Sequence, residues 1–135
     1  MPFLCADGKP GEPLMIDGGV LVTISYYGVD KVIANYSLMG PVKAALQAAV
    51  RYLACELGPK GIRVHAVSPG PLKTRVASGV AHFDELLAEA ELRAPEPNLV
   101  DILDIGAATA FLCSPFAKLI TGGTIYVDGG YNIFG

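Results

Sequence analysis

A tyrosine and a lysine near the start of the longest stretch with helical spacing, 36–57, are the first candidates for chemistry. They are Tyr36 and Lys43, seven residues apart. At about 3.6 residues per turn this separation is almost two turns, so a helix would present both side chains on one face. A nearby ammonium group favours the phenolate and makes the phenol a better proton donor, which predicts an acid site. The alternative is a tyrosine packed on the core and a lysine in solvent.

Two predicted strands flank this helix. Residues 19–27 are rich in β-branched and aromatic side chains and predict a buried strand, and residues 62–68 predict a second one. A strand, a helix and a strand in this order form a right-handed parallel crossover unit. Ligands of open α/β sheets bind beyond the carboxyl ends of the strands. Tyr26 and Tyr27, at the end of the first strand, are therefore expected where a site would lie.

Local signals predict the ends of this helix and the elements that follow it. Because Pro41 is tolerated only in a first turn, the helix should begin near Ser37 or Leu38, with Asn35 or Ser37 as its cap. The later elements are a helix over 84–93, a helix capped by Asp101 that runs to about Cys113, and a strand over 124–128. This order predicts an α/β fold with about three parallel strands and helices on both faces.

A turn of sequence SPGPLKT, residues 68–74, follows the second strand. Two prolines around Gly70 predict a rigid turn whose backbone can approach a ligand closely, and Lys73 and Thr74 can donate to phosphate oxygens. The small, apolar residues 75–83 are more typical of a mobile lid than of a helix or strand. The turn lies at the same predicted sheet edge as Tyr26.

The composition excludes several classes of function. A net charge of -3 argues against nucleic-acid binding. No apolar run is long enough for a membrane span, and the N-terminus does not resemble a signal peptide, which predicts a cytoplasmic protein. With 52% hydrophobic and 17% charged residues, the chain is apolar enough to predict a surface that is covered by an assembly or by another part of the fold. The three cysteines, Cys5, Cys55 and Cys113, are widely spaced, the last two in helical patterns, and predict buried, reduced thiols.

The signals of several other chemistries are missing from the sequence. It contains neither a Gly-x-Gly-x-x-Gly turn after a strand nor a Walker-type phosphate loop, and it has no Gly-x-Ser-x-Gly elbow. Histidines and cysteines occur singly, so no metal site is predicted. His65, in the middle of a strand, is interpreted as a core or interface residue rather than as a catalyst.

Several segments together resemble the bacterial NADH-dependent enoyl-acyl-carrier-protein reductases of the short-chain dehydrogenase/reductase superfamily. They are SYYGVDKVIANYSLMGPVKAAL, VRYLACELGPKGIRVHAVSPGPLKT, FLCS and YVDGGY. The resemblance covers residues 12 to about 131 and predicts one domain over 12–135, whereas residues 1–11 are an irregular stretch that does not match. It implies the C-terminal part of a Rossmann-like doubly wound parallel sheet, which is the catalytic and substrate-binding half, and the N-terminal dinucleotide-binding half has no counterpart.

The resemblance also implies a role for each matching residue. Tyr36 would hydrogen-bond the thioester carbonyl and stabilise the enolate, Lys43 would bind the nicotinamide ribose, and Tyr26 would be a second catalytic and substrate-binding tyrosine. The residues implied in NADH binding, besides Lys43, are Gly70, Pro71, Leu72, Lys73 and Thr74. The residues implied in covering the acyl chain are Val76, Ala77, Val80 and Phe83.

The implied activity is reduction of the 2,3 double bond of enoyl-acyl-carrier-protein thioesters with NADH in fatty acid biosynthesis. The implied partners are the acyl-carrier-protein thioester and further copies of the chain, since the family forms homotetramers. We expect weak or no activity from the 135-residue chain by itself. Two alternatives remain: a non-catalytic remnant that associates with full-length reductase subunits, and another short-chain dehydrogenase such as a ketoacyl reductase.

Overall fold

A computed structural model of the chain describes residues 15, 17–33, 36–72 and 83–134, with the side chain of Phe83 excepted. The strands are β1 (Gly19–Ile24), β2 (Ile62–Pro69) and β3 (Thr124–Val127), and the α-helices are α1 (Met39–Leu57), α2 (Phe83–Arg93) and α3 (Ile102–Cys113). Short 3-10 turns occupy Tyr27–Val29, Gly58–Lys60, Pro115–Ala117 and Tyr131–Ile133. In this part of the chain, no helix has both the length and the apolar character needed to cross a membrane.

The three strands form one parallel sheet in the order β1-β2-β3, which confirms the predicted α/β class. Gly19 pairs with Ile62 at the start of β1, and Ile24 pairs with Val67 at its end. The second pairing runs from Ala66 opposite Thr124 to Pro69 opposite Val127. Since parallel strands end at one edge, the carboxyl ends of β1 and β2 lie side by side.

Helices cover both faces of β2, as predicted. On one face, the buried residues of α1 pack against alternate residues of β2; the cluster comprises Val50, Ala54, Leu57, Ile62, Val64 and Ala66. On the other face, the Arg63 guanidinium donates to the carbonyl oxygens of Leu112, Ala117 and Ser114 at 2.5, 2.9 and 3.2 Å. This cation binds carbonyls at the C-terminal end of α3, where a helix has orphan acceptors, and in the 3-10 turn that follows it.

The start of α3 was predicted correctly from local sequence. Asp101 accepts hydrogen bonds from the backbone amides of Leu103 and Asp104, and the Asp104 side chain accepts from the Asp101 amide. This capping box satisfies orphan amides at the helix start. Such signals depend only on residues a few positions apart, so the sequence displays them directly.

The predicted strand over 19–27 was too long. β1 ends at Ile24 and is only half-buried along most of its length, because one of its edges is unpaired in the described sheet. The Ser25 amide still donates to the Val67 carbonyl, but Tyr27 opens a 3-10 turn in which the Asp30 amide donates to its carbonyl. Similarly, β3 ends at Val127 rather than Asp128, whose carboxylate instead caps the following turn.

The start of α1 agrees with the prediction to within one residue, but its predicted cap does not. The helix begins at Met39 after Leu38, and no side chain caps it, so Ser37 is not a cap. Asn35 lies outside the described residues. The Gly40 amide nevertheless donates to the Tyr36 carbonyl, so helical hydrogen bonding already reaches back to Tyr36. Tyr36 thus lies three residues before Met39, the first residue of α1, but its carbonyl accepts a hydrogen bond of helical type.

The prediction of buried cysteines was wrong for the two that are described. Cys55 and Cys113 are both free, as expected, but both are exposed. Each follows a buried residue, Ala54 and Leu112 respectively. One step along a helix rotates the side chain by about 100°, which turns each thiol away from the sheet.

Candidate functional site

Tyr26 and Tyr36 meet at the carboxyl end of β1. Their ring centroids are 5.3 Å apart with an interplanar angle of 63°, an edge-to-face contact. Tyr26 follows the strand, and Tyr36 is held by the first helical hydrogen bond of α1. The structure thus brings together two of the three predicted catalytic residues, although ten positions separate them in sequence.

Lys43 reaches the same strand end from the second turn of α1. Its Nζ donates to the carbonyl oxygen of Ile24 at 2.7 Å. An ammonium group has three donors, so two remain for other acceptors. The ammonium group of Lys43 is therefore bound to the backbone of Ile24, two residues before Tyr26 in the sequence.

The electrostatics of Tyr36 differ from the prediction. A close ammonium group would lower the pKa of the phenol, whereas burial raises the pKa of Tyr36 above its usual value of 10.0. Burial raises the pKa of Tyr26 much further, and the nearby Tyr36 and Tyr131 act in the same direction. Both phenols are therefore protonated at neutral pH and can serve as hydrogen-bond donors.

The hydroxyl of Tyr26 is buried and has no hydrogen-bond partner among the described residues. A buried phenol usually finds a partner, and leaving a buried donor unpaired costs free energy. Such an atom next to Tyr36 fits a site that is completed by an acceptor from outside the described chain, such as a ligand oxygen.

Tyr27, the other tyrosine expected at the sheet edge, belongs instead to the core. Its hydroxyl donates to that of Tyr131 at 3.3 Å, and their rings make an edge contact at 5.0 Å. Gly28 allows this turn to lie close to Tyr36, because a Cβ on Gly28 would come within 3.1 Å of the Tyr36 ring. The turn and the start of α1 border a cleft of about 390 Å³ that Tyr36 also lines.

The predicted cofactor turn is described only up to Leu72. Gly70 and Pro71 are buried directly after β2, and the Gly70 amide donates to the carbonyl of Val127 at the end of β3. A Cβ on Gly70 would lie 3.1 Å from the Cβ of Asp128, a tight contact, so packing against the residue after β3 favours a glycine at this position. That role does not depend on a ligand, and the assignment of Gly70, Pro71 and Leu72 to cofactor binding stays a prediction.

The remaining predicted residues cannot be placed. Lys73, Thr74, Val76, Ala77 and Val80 lie outside the described residues, and so does most of the segment predicted to be a lid. Phe83 is described only as the first backbone position of α2. Within the part of the chain that is described, no group of three or more His, Cys, Asp or Glu side chains could hold a metal ion.

Sequence reasoning missed a buried polar pair one helical turn beyond Lys43 on α1. Gln47 Nε2 donates to Ser25 Oγ at 2.8 Å, and both residues are buried. One signal was available: Gln47 is a polar residue in an alanine-rich helix, four positions after Lys43 and therefore on the same face. Its partner could not have been inferred from local sequence.

His65 is fully buried in the middle of β2, in agreement with its interpretation as a core residue. Its Nδ1 has no partner among the described residues, and its Nε2 lies 3.5 Å from the Arg63 guanidinium. Burial, and secondly the charge of Arg63, lower the pKa of His65 below its usual 6.5. His65 is therefore neutral in the folded protein at neutral pH.

This pKa predicts that acidification destabilises the fold. Below about pH 6.5 the unfolded chain binds a proton at this histidine and the folded chain does not, so the free energy of unfolding falls by up to about 1.4 kcal/mol per pH unit until the folded-state pKa is reached. Urea unfolding across this range should show a shallower pH dependence for His65→Leu than for the wild type. Equal slopes would contradict the prediction.

The fold and the site together define a Rossmann-like parallel α/β protein with a tyrosine pair and a lysine at the carboxyl edge of its sheet. A protein-family model described as Enoyl-(Acyl carrier protein) reductase matches residues 4–132. The chain belongs to this family, as the sequence resemblance predicted.

Individual relatives give the same result. The chain is 46% identical over 127 residues to the enoyl-[acyl-carrier-protein] reductase [NADH] FabI of Rickettsia felis, and 43% identical over 128 residues to that of Escherichia coli K12. These alignments cover 94% and 95% of this chain but 49% of each relative. The chain thus spans about half the length of the curated relatives it matches.

Solved structures confirm the fold. The Bacillus cereus enoyl-acyl carrier protein reductase with NADP+ and indole naphthyridinone matches with a TM-score of 0.91 at 43% identity, over 93% of this chain and 49% of that one. The Anaplasma phagocytophilum enoyl-(acyl-carrier-protein) reductase in complex with NAD matches with a TM-score of 0.86 at 40% identity, over 93% and 46% respectively.

Proposed function

We propose that this chain supplies the catalytic half of an enoyl-acyl-carrier-protein reductase, which reduces the 2,3 double bond of fatty acyl thioesters with NADH. The observation that supports this most directly is the convergence of Tyr26, Tyr36 and Lys43 at the carboxyl end of β1. Parallel α/β sheets bind their ligands beyond this edge. The relatives named as NADH-dependent reductases, and the one solved with NAD, support the choice of cofactor.

Tyr36 would act by donating a hydrogen bond to the carbonyl oxygen of the thioester. Because burial raises the pKa of Tyr36, its hydroxyl keeps its proton at neutral pH and stays a donor. A donor placed where negative charge develops on an oxygen stabilises the transition state more than the ground state. The unpartnered hydroxyl of Tyr26, in contact with Tyr36, is a second donor for the same region.

The residues present fit the nicotinamide end of the cofactor, which supplies the hydride when it is bound. Lys43 would bind ribose hydroxyls with the two donors that Ile24 leaves free. The turn 70–74 would contact the nicotinamide and the pyrophosphate. Val76, Ala77, Val80 and Phe83 would cover the acyl chain of the carrier-protein substrate. We further propose a cytoplasmic location and a homotetrameric assembly.

A second candidate function is a non-catalytic chain that associates with full-length reductase subunits. The outer surface of α1 favours it, since Val42 and Tyr52 are 50% and 78% exposed. Apolar side chains of this kind on one helix are typical of interaction surfaces. Co-purification with a full-length homologue would favour this function. So would the absence of turnover after residues 12–135 are joined to a complete cofactor-binding half.

Turnover by a fusion protein tests the proposed function. Residues 12–135 would be joined to the N-terminal half of the Escherichia coli relative and supplied with NADH and a crotonyl thioester. We expect consumption of NADH that depends on the crotonyl substrate. Reduction of an acetoacetyl thioester instead would favour a ketoacyl reductase, and activity with neither would overturn the proposal. Turnover by the separate 135-residue chain would contradict the expectation that it is weak or inactive by itself.

A further inference from the structure

The buried hydrogen bond between Ser25 and Gln47 lies next to the hydrogen bond of Lys43, one turn further along α1. Ser25 is 2% exposed and Gln47 is 6% exposed. We propose that Ser25 and Gln47 are positioning residues, whose hydrogen bond holds the end of β1 at the place where its Ile24 carbonyl can bind Lys43. This inference rests on the proposed function, because it concerns the geometry of the same site.

Two parallel hydrogen bonds connect α1 to adjacent residues at the end of β1. Lys43 Nζ donates to the carbonyl of Ile24 at 2.7 Å, and Gln47 Nε2 donates to Ser25 Oγ at 2.8 Å. Lys43 and Gln47 are four positions apart, one turn along the same helix face. The two bonds therefore restrain neighbouring residues of the strand relative to neighbouring turns of the helix.

The backbone of Ser25 is also held from the side of the sheet. Its amide donates to the carbonyl of Val67 in β2 at 2.7 Å. The strand ends at this point, and Tyr26 then leads into the 3-10 turn. Both the sheet and α1 therefore restrain Ser25, the residue immediately before Tyr26.

A buried glutamine would not be expected here for packing alone. Burying a side-chain amide costs free energy unless it is hydrogen-bonded, and the buried residues further along the same face of α1 are apolar, namely Val50, Ala54 and Leu57. The long, flexible side chain of Lys43 loses rotamer freedom when it binds a single carbonyl. Its hydrogen bond therefore depends on an acceptor that is already held in place, and the Ser25–Gln47 bond provides this restraint.

The experiment measures the ammonium group of Lys43 directly, in the full 135-residue chain labelled with ¹⁵N-lysine. The Lys43 signal is assigned by its loss in Lys43→Arg. We expect its ammonium protons to exchange with water about tenfold faster in Ser25→Ala and in Gln47→Leu, the order of change expected when a hydrogen bond from a charged group is weakened. These variants remove one bond from opposite ends, so either folded variant decides the outcome.

Two control variants separate positioning from a general loosening of the fold. Val50→Ala removes buried methyl groups from the same helix face without touching the polar pair, and Ser25→Thr keeps the hydroxyl group. Both should leave Lys43 exchange within about twofold of the wild type, and the double variant Ser25→Ala/Gln47→Leu should match the single variants. Unchanged exchange in Ser25→Ala and Gln47→Leu, or an equal change in Val50→Ala, would overturn the proposal. The measurement needs neither NADH nor turnover, so its failure is distinct from a failure of the fusion protein to reduce an enoyl thioester.

Discussion

Replacing Tyr36 with phenylalanine in the fusion protein is expected to lower kcat by about 10²- to 10³-fold, the effect of removing one donor from an oxyanion site. The phenylalanine ring keeps the edge contact with Tyr26, whose centroid lies 5.3 Å away. The hydroxyl group is therefore the only part of the side chain that is lost. The KM for NADH should change little, because the proposed donor acts on the thioester oxygen. Steady-state kinetics with crotonyl thioester measures both constants.

Tyr52→Phe is the matched control for this prediction. Tyr52 lies on α1, and its side chain is 78% exposed. Its loss of a hydroxyl group should leave kcat unchanged. A Tyr36→Phe variant that keeps most of the wild-type kcat would remove Tyr36 from the proposed mechanism, and the buried hydroxyl of Tyr26 would then be the remaining donor.

Replacing Arg63 with methionine is expected to give the largest loss of stability, about 3 kcal/mol in the free energy of unfolding. The variant keeps an apolar stem of similar length and removes the donors to three backbone carbonyls, in the last turn of α3, at its C-cap and in the 3-10 turn that follows. Two of these carbonyls belong to the fully buried Leu112 and Ala117. Without Arg63 the Leu112 carbonyl would lose this donor in the protein interior, and the Ala117 carbonyl would keep only the Ile120 amide. Equilibrium unfolding in urea measures the change.

Arg51→Met provides the comparison, since Arg51 is exposed on the outer surface of α1. A substitution there should change the free energy of unfolding by no more than about 0.5 kcal/mol. If Arg63→Met is no more destabilising than Arg51→Met, then the guanidinium does not hold α3 against β2. In that case the apolar contacts of α3 with the sheet would have to account for its position.

The predictions that succeeded rest on patterns within short stretches of the chain. Asp101 and Asp104 are three residues apart, so the capping box of α3 was visible in the sequence. The predicted strand over 62–68 and the crossover order led to the parallel sheet, because they depend on local sequence and on chain handedness. The predicted C-terminal end of β1 was less accurate, since Tyr26 and Tyr27 have strand-forming side chains but lie in a turn stabilised by Gly28 and Tyr131.

The sequence by itself determined the α/β class, the nomination of Tyr36 and Lys43, and the family to which the chain belongs. The tertiary structure decided what these residues contact. The ring of Tyr36 contacts Tyr26, burial raises the pKa of Tyr36, and Lys43 binds the carbonyl of Ile24. It also brought together Ser25 and Gln47, which are 22 residues apart. The physical reason is that residue types and spacings set which side chains share a face, whereas the partner of each side chain depends on how a helix packs on the end of a strand.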